Sequence, residues 1–256
     1  MRAAGRTVAA FIMLRRKVLS MKYEEMKPRE INHVLRTCPL AYLVWGSHEW
    51  HGPQNPIGLD TLKAHRMALE LCAVTGGVVL PPVYCGYQTM KPCARFRHTF
   101  EFSKELVNQY VYEHLENLYD EGFKMIVILM GHYGAKHVET VKAAVERFTE
   151  KHRYPRVLAM ADYEPAGWVN VRGGDHGGKN ETSLMMHYRP DLVDLSRLPQ
   201  GRLIHSRDGI SEDAKEATAE HGAMLARVFV EQAAPRIKAL LKEAMDNWPA
   251  EVSNGD

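Results

Sequence analysis

Three glycine-bounded segments hold imidazole and carboxylate side chains at spacings that suit divalent-cation chemistry. The first runs from Trp45 to Asp60 and carries Glu49, His51 and Asp60. Residues i and i+2 of an extended stretch point to the same side, so Glu49 and His51 present one oxygen and one nitrogen donor together. Asp60 opens the following helix. Alone it reads as a helix N-cap, and beside Glu49 and His51 it becomes a third ligand. The second segment, Met130-Gly-His-Tyr-Gly134, places His132 directly after an apolar run, with Tyr133 beside it as a substrate contact. The third, Gly173-Gly-Asp-His-Gly-Gly-Lys-Asn-Glu-Thr-Ser183, is too rich in glycine for a helix or strand, and Glu181 falls where a new helix begins. Asp175 there is a further candidate substrate contact. Two imidazoles (His51, His132) and three carboxylates (Glu49, Asp60, Glu181) suit zinc, manganese or iron better than calcium or a thiolate site. Five ligands can serve two ions about 4 Å apart if one carboxylate is shared, and Asp60 is the candidate bridge. Such a pair acidifies a shared water and clamps both the attacking and the polarised oxygen. His176 is left as the proton carrier, since an imidazole both accepts and donates near pH 7.

The elements that must position these groups follow from periodicity. Ala41–Gly46, Val78–Tyr84, Lys124–Met130 and Arg156–Ala161 read as short buried strands. Helices are predicted over Thr61–Cys72, from a Ser103 cap to Asp120, over Ala135–His152, over Glu181–His187, and over Glu212–Ala233 and Arg236–Met245 with a break at Pro235. Alternating strands and helices predict an α/β fold, a three-layer α/β/α sandwich with a largely parallel central sheet. In such sheets ligands sit beyond the carboxyl ends of the strands, where the first two segments emerge.

Composition bounds the rest. The 256 residues carry 33 Lys+Arg against 31 Asp+Glu, which disfavours a nucleic-acid binder with a broad basic surface. Four cysteines with no C-x-x-C pair indicate neither a disulfide framework nor a zinc finger. Residues 1–20 hold five basic and no acidic residues and read as a basic extension or an upstream start, with the domain proper spanning 21–256. The extension is a poor match to a secretory signal, and no apolar run approaches the roughly 20 residues of a membrane span, so a cytoplasmic protein without a membrane partner is expected.

Gly46-Ser-His-Glu-Trp-His-Gly-Pro53 with Asp60, then Gly131-His-Tyr-Gly134, then His176-Gly-Gly-Lys-Asn-Glu-Thr-Ser183 resembles the creatininase (creatinine amidohydrolase) family. The family's patterns are G-S-x-E-x-H-G-P-H-L-P-x-x-x-D, N-G-H-G-G-N and H-A-G-x-x-E-T-S, and the resemblance spans about residues 40–190. It implies a three-layer metallohydrolase, frequently a hexamer, acting on unusual C–N bonds of small molecules. It implies Glu49, His51, Asp60 and His132 as metal ligands, Glu181 as a fifth ligand or a partner of one, and His176 as the catalytic histidine, with Glu181 beside it. Creatininases proper carry Glu where this chain has Gly134, which points away from creatinine as substrate. The family's F-P-G-T-I-S-L appears as Phe96-Arg-His-Thr-Phe-Glu-Phe102. Arg95, Arg97 and His98 are therefore expected either at the pocket rim, facing a substrate with a carboxylate or phosphate, or on a solvated loop whose charges never meet the substrate. The leading expectation is an amidohydrolase that opens a cyclic amide, amidine or formamide. The alternatives are a non-catalytic oligomeric binding module and a metal-dependent lyase or isomerase.

Overall fold

The computed structural model describes residues 21–91, 96–167 and 175–249. The basic stretch 1–20, Arg95 and the glycines at 173 and 174 lie outside them. The helices are α1 (Pro28–Thr37), α2 (Leu59–Thr75), α3 (Lys104–Asp120), α4 (Ala135–Lys151), α5 (Lys179–Tyr188), α6 (His205–Asp208) and α7 (Ala219–Asp246). The strands are β1 (Leu40–Gly46), β2 (Val78–Val79), β3 (Val83–Tyr84), β4 (Met125–Met130) and β5 (Arg156–Ala161), and every pairing is parallel. β4 and β5 lie on one side of β1, and β2 then β3 follow each other along its other side.

All residues of β1 and β4 are buried, as strands covered on both faces must be. The two-residue alternation sorts their side chains. Leu40, Tyr42, Val44, Val127 and Leu129 pack with Met67 and Leu71 of α2 and Leu225, Phe229 and Ile237 of α7. Ala41, Leu43, Trp45, Ile126 and Ile128 pack on the opposite face with Val107, Val111 and Leu115 of α3 and Val141 and Phe148 of α4. This is the three-layer α/β/α arrangement that the sequence predicts.

Two elements differ from expectation. The strand expected over Val78–Tyr84 is split at Pro81 and Pro82, which have no N–H to give to the ladder. Pairing resumes at once on both sides, from Leu80 N to the Tyr42 carbonyl (2.9 Å) and from Cys85 N to the Gly46 carbonyl (3.0 Å). The C-terminal helix starts at Ala219 rather than Glu212, because the Thr218 hydroxyl accepts from His221 N and caps it there. It then runs through Pro235 without a break. A proline inside a helix costs about 3 kcal/mol. Here Leu225, Ala226 and Phe229 before it and Ile237, Leu241 and Ala244 after it are buried in one stripe, and that burial outweighs the cost. Among the described residues no helix is long and apolar enough to cross a membrane.

Candidate metal centre

β1 and β4 end level with each other, Trp45 opposite Met130, so the segments that follow them open side by side. The approach of β4's end to α2 depends on a missing side chain. A Cβ on Gly131 would stand 2.1 Å from the Asp60 carbonyl oxygen, so any larger residue would drive His132 away from the first turn of α2.

Glu49, His51, Asp60, His132 and Glu181 are all buried and converge beyond this edge of the sheet. The two histidines use opposite nitrogens. His51 donates Nδ1–H to the Glu49 backbone carbonyl (3.1 Å), which leaves Nε2 facing Asp60 Oδ1 at 2.9 Å and Glu181 Oε2 at 3.6 Å. His132 donates Nε2–H to the Tyr87 carbonyl (2.9 Å), which leaves Nδ1 facing Glu49 Oε2 at 2.9 Å and Asp60 Oδ2 at 3.3 Å. An imidazole lone pair against a carboxylate oxygen is repulsive unless a positive charge, a proton or a metal cation, lies between them. Among the described residues three trios have ligand atoms inside 4.8 Å of one another, Glu49–Asp60–His132, His51–Asp60–Glu181 and Glu49–His51–His176, and Asp60 is common to the first two, one oxygen to each histidine. The Ser47 hydroxyl donates to Asp60 Oδ2 at 2.7 Å, and the Met90 N–H donates to Glu49 Oε1 at 2.5 Å.

Burial disfavours charge at Glu49, His51, Asp60 and His132, and their mutual attraction overrides it. Asp60, then Glu181 and Glu49, lift His51 to about 9. Against burial, Glu49 and Asp60 raise His132 well above its ordinary value. Asp60 is held well below the usual carboxylate range by His51 and His132 in spite of its burial. His176 behaves differently. Burial first and His51 second keep it below its ordinary value, hence neutral at pH 7. Its ring stacks on His51 at 4.1 Å and donates Nε2–H to the Trp50 carbonyl at 2.7 Å, which leaves Nδ1 as the proton acceptor.

The surrounding groups form a second tier that spacing alone did not reveal. The Lys63 ammonium is wholly buried and donates to Asp162 Oδ2 (2.6 Å) and the Gly131 carbonyl (2.8 Å). Burial pushes the Asp162 carboxyl up to about 7, although Lys63 pulls it the other way. Tyr133 donates to Glu181 Oε1 at 2.5 Å. Asp175 Oδ2 accepts from Glu181 N at 2.8 Å and so fixes the first turn of α5, while burial, with Glu181 adding to it, raises its carboxyl to about 8. A signal for Lys63 and Asp162 does exist. Lys63 follows Asp60 by three residues and shares its face of α2. Asp162 follows β5 directly, at the edge already singled out for β1 and β4.

A cleft of about 430 Å³ opens over the centre, walled by Gln88, Met90, Tyr133, Tyr163, His176 and His205, with Asp175 at its edge. Arg97 and His98 do not line it. Phe96 stacks on Trp50 (5.5 Å, 2°) and Thr99 accepts from Trp50 N (3.0 Å), so the segment is pinned by those two residues while Arg97 and His98 between them are exposed. Of the two placements expected for these residues, the exposed loop is the one described, and the rim position is corrected. Arg95 falls outside the described residues. His205 reaches the cleft mouth from a remote segment, 6.1 Å from the His176 ring, and nothing in its local sequence marks it.

A model of the creatininase (creatinine amidohydrolase) family matches residues 24–237. The chain belongs to the creatininase family. It is 24% identical over 229 residues to the creatinine amidohydrolase of Pseudomonas putida, covering 75% of this chain and 86% of that protein. It is 29% identical over 227 residues to the mycofactocin precursor peptide peptidase of Mycolicibacterium smegmatis, covering 78% and 85%. Against the 3-dehydro-scyllo-inosose hydrolase of Thermotoga maritima identity is 26% over 163 residues, 64% of this chain and only about half (51%) of that relative's length. A crystal structure of creatinine amidohydrolase superposes with a TM-score of 0.74 at 21% identity, covering 90% of this chain and 99% of that one. Two further creatininase structures, one of the Zn-Zn type and one named for Mn, share the same fold, each with a TM-score of 0.74 at 21% identity over 86% of this chain and 98% of theirs.

Proposed function

We propose that this family member is a divalent-metal amidohydrolase with two cation sites, Glu49–Asp60–His132 and His51–Asp60–Glu181, joined through Asp60. The observation that carries the reading is the pair of opposite histidine tautomers. Each is set by a backbone carbonyl, and each turns a lone pair onto the same carboxylate, the arrangement by which histidine ligands are oriented toward metals. Ions of the zinc, manganese or iron type at these sites would supply an acidified water and Lewis-acid polarisation of the scissile group.

The chain's own residues supply the rest. His176, neutral and anchored through Nε2, takes a proton at Nδ1 and returns it to the leaving nitrogen. Tyr133 and Asp175 hold Glu181 from its side chain and its backbone respectively, and both line the cleft against a substrate. The substrates proposed are small cyclic amides, amidines and formamides, and residues 21–256 are proposed to act as one catalytic unit. A relative named as a peptidase makes short peptides part of the same test.

The test is elemental analysis of the purified protein, followed by a screen of these compounds in ¹⁸O-labelled water. Metal-dependent turnover with solvent oxygen in the product is expected. Full activity in a verified metal-free sample overturns the reading, and turnover without solvent oxygen replaces it with a lyase or isomerase.

A further inference from the structure

The proposed reaction leaves one buried cation unused. Lys63 stands one turn after Asp60 on α2 with its side chain 0% exposed. Each of its three ammonium hydrogens has an oxygen within reach: Asp162 Oδ2 at 2.6 Å, the Gly131 carbonyl at 2.8 Å and Glu181 Oε1 at 3.3 Å. The last contact divides the labour of the Glu181 carboxylate. Oε1 takes the Lys63 ammonium and the Tyr133 hydroxyl (2.5 Å). Oε2 takes the Gly177 N–H (2.8 Å) and faces His51 Nε2. Asp162 is the partner of Lys63, but burial holds its carboxyl up at about 7, so the pair is only partly neutralised near pH 7 and its charge is not what distinguishes it. Its contribution is direction. The side chains of the Glu49–Asp60–His132 trio have no hydrogen bond or ion pair to Lys63 among the described contacts and meet it only through the Gly131 carbonyl next to His132 and the charge of Asp60, so the two cation sites differ in how directly they depend on it.

We propose that Lys63 is a positioning residue: held by Asp162 and the Gly131 carbonyl, it pins Glu181 Oε1 and thereby presents Oε2 to the cation site formed with His51 and Asp60. The proposal rests on the two-cation reading of the centre. It makes the second cation site selectively sensitive to a pair of residues that no cation touches.

Lys63→Met combined with Asp162→Asn removes both charges at similar volume and leaves no buried ion unpaired. Stepwise titration with Zn²⁺, and separately with Mn²⁺, followed by calorimetry and by elemental analysis of dialysed protein, reads the two sites. The first ion is expected to bind as in the wild type, and the second about 10- to 100-fold more weakly. A merely structural role would lower Tm and leave both affinities unchanged, which overturns the proposal, as does equal weakening of both ions. Should the double variant fail to fold, Asp162→Asn alone loosens the anchor of Lys63 and is expected to weaken the second ion selectively. An unchanged second affinity in that variant overturns the proposal. A wild type that takes up no second ion overturns the two-cation reading and the proposal with it. Two ions held with equal affinity in wild type and variant overturn the proposal alone.

Discussion

In the proposed two-cation centre Asp60 is the shared ligand, because its two oxygens face different imidazoles. Asp60→Asn is expected to empty both sites, whereas Glu49→Gln and Glu181→Gln each cost one ion per chain, as elemental analysis will show. His176 is separable from this count. It is anchored to the Trp50 carbonyl and not to Asp60, so His176→Ala should keep both ions and lose about 10²- to 10⁴-fold in kcat. Protons and cations compete for the same positions between the histidines and the carboxylates. With the His51 imidazole raised to about 9, chelated protein carries a proton there at pH 7. Cation uptake at pH 7 must therefore release protons, and the apparent affinity of the His51 site should climb with pH toward about 9. The sign for stability follows from the same shift. The folded value lies above the unfolded one of about 6.5, so the contribution of His51 to chelated protein is complete below pH 6.5 and is lost as pH rises toward 9. Calorimetry in buffers of different ionisation enthalpy measures the proton count directly, and no proton release at pH 7 would contradict this account.

One element that holds the centre is largely without regular secondary structure. Residues 86–90 give the Tyr87 carbonyl to His132, the Tyr87 N–H to the buried His137 (3.2 Å) and the Met90 N–H to Glu49. Glu101 clasps this strap by accepting from Gln88 N (2.8 Å), Thr89 N (2.7 Å) and the Thr89 hydroxyl. Glu101→Ala orphans those donors and should cost about 1–3 kcal/mol of stability. It should also weaken the ion at the Glu49–Asp60–His132 site more than its neighbour, which thermal denaturation and stepwise metal titration check together. Regular elements were the easier part to read from sequence. β1, β4 and β5 announce themselves as short apolar runs bounded by turn residues, and α3 runs from its Ser103 cap to Asp120 as expected. Pro235 misled, since a proline marks a helix end only where no burial opposes it, and α7 buries apolar residues on both sides of it.

Across the whole molecule, the centre ties together the β1 loop, the start of α2, the end of β4 and the start of α5, which are distant in the chain. A cation that binds only this assembled state stabilises the fold by mass action, about 4 kcal/mol at a thousandfold excess over Kd. At about 2–4 °C per kcal/mol for a chain of this size, complete chelation should lower Tm by roughly 10 °C. A scan with and without chelator tests it, and coincident curves would mean that no cation is held. By itself the sequence determined the α/β/α layering and the residues brought to one edge: Glu49, His51, Asp60, His132, His176 and Glu181. Those are legible because burial period and glycine-bounded strand ends are local properties, and each of these residues lies within a few positions of such a signal. Tertiary structure alone decided that Lys63 meets Asp162 across 99 residues, that the Tyr87 carbonyl selects the His132 tautomer, and that Arg97 and His98 are left exposed outside the cleft. The physical reason is that a hydrogen-bond partner is chosen by which surfaces pack together. That choice depends on every layer of the sandwich at once and leaves no mark in the spacing of any one segment.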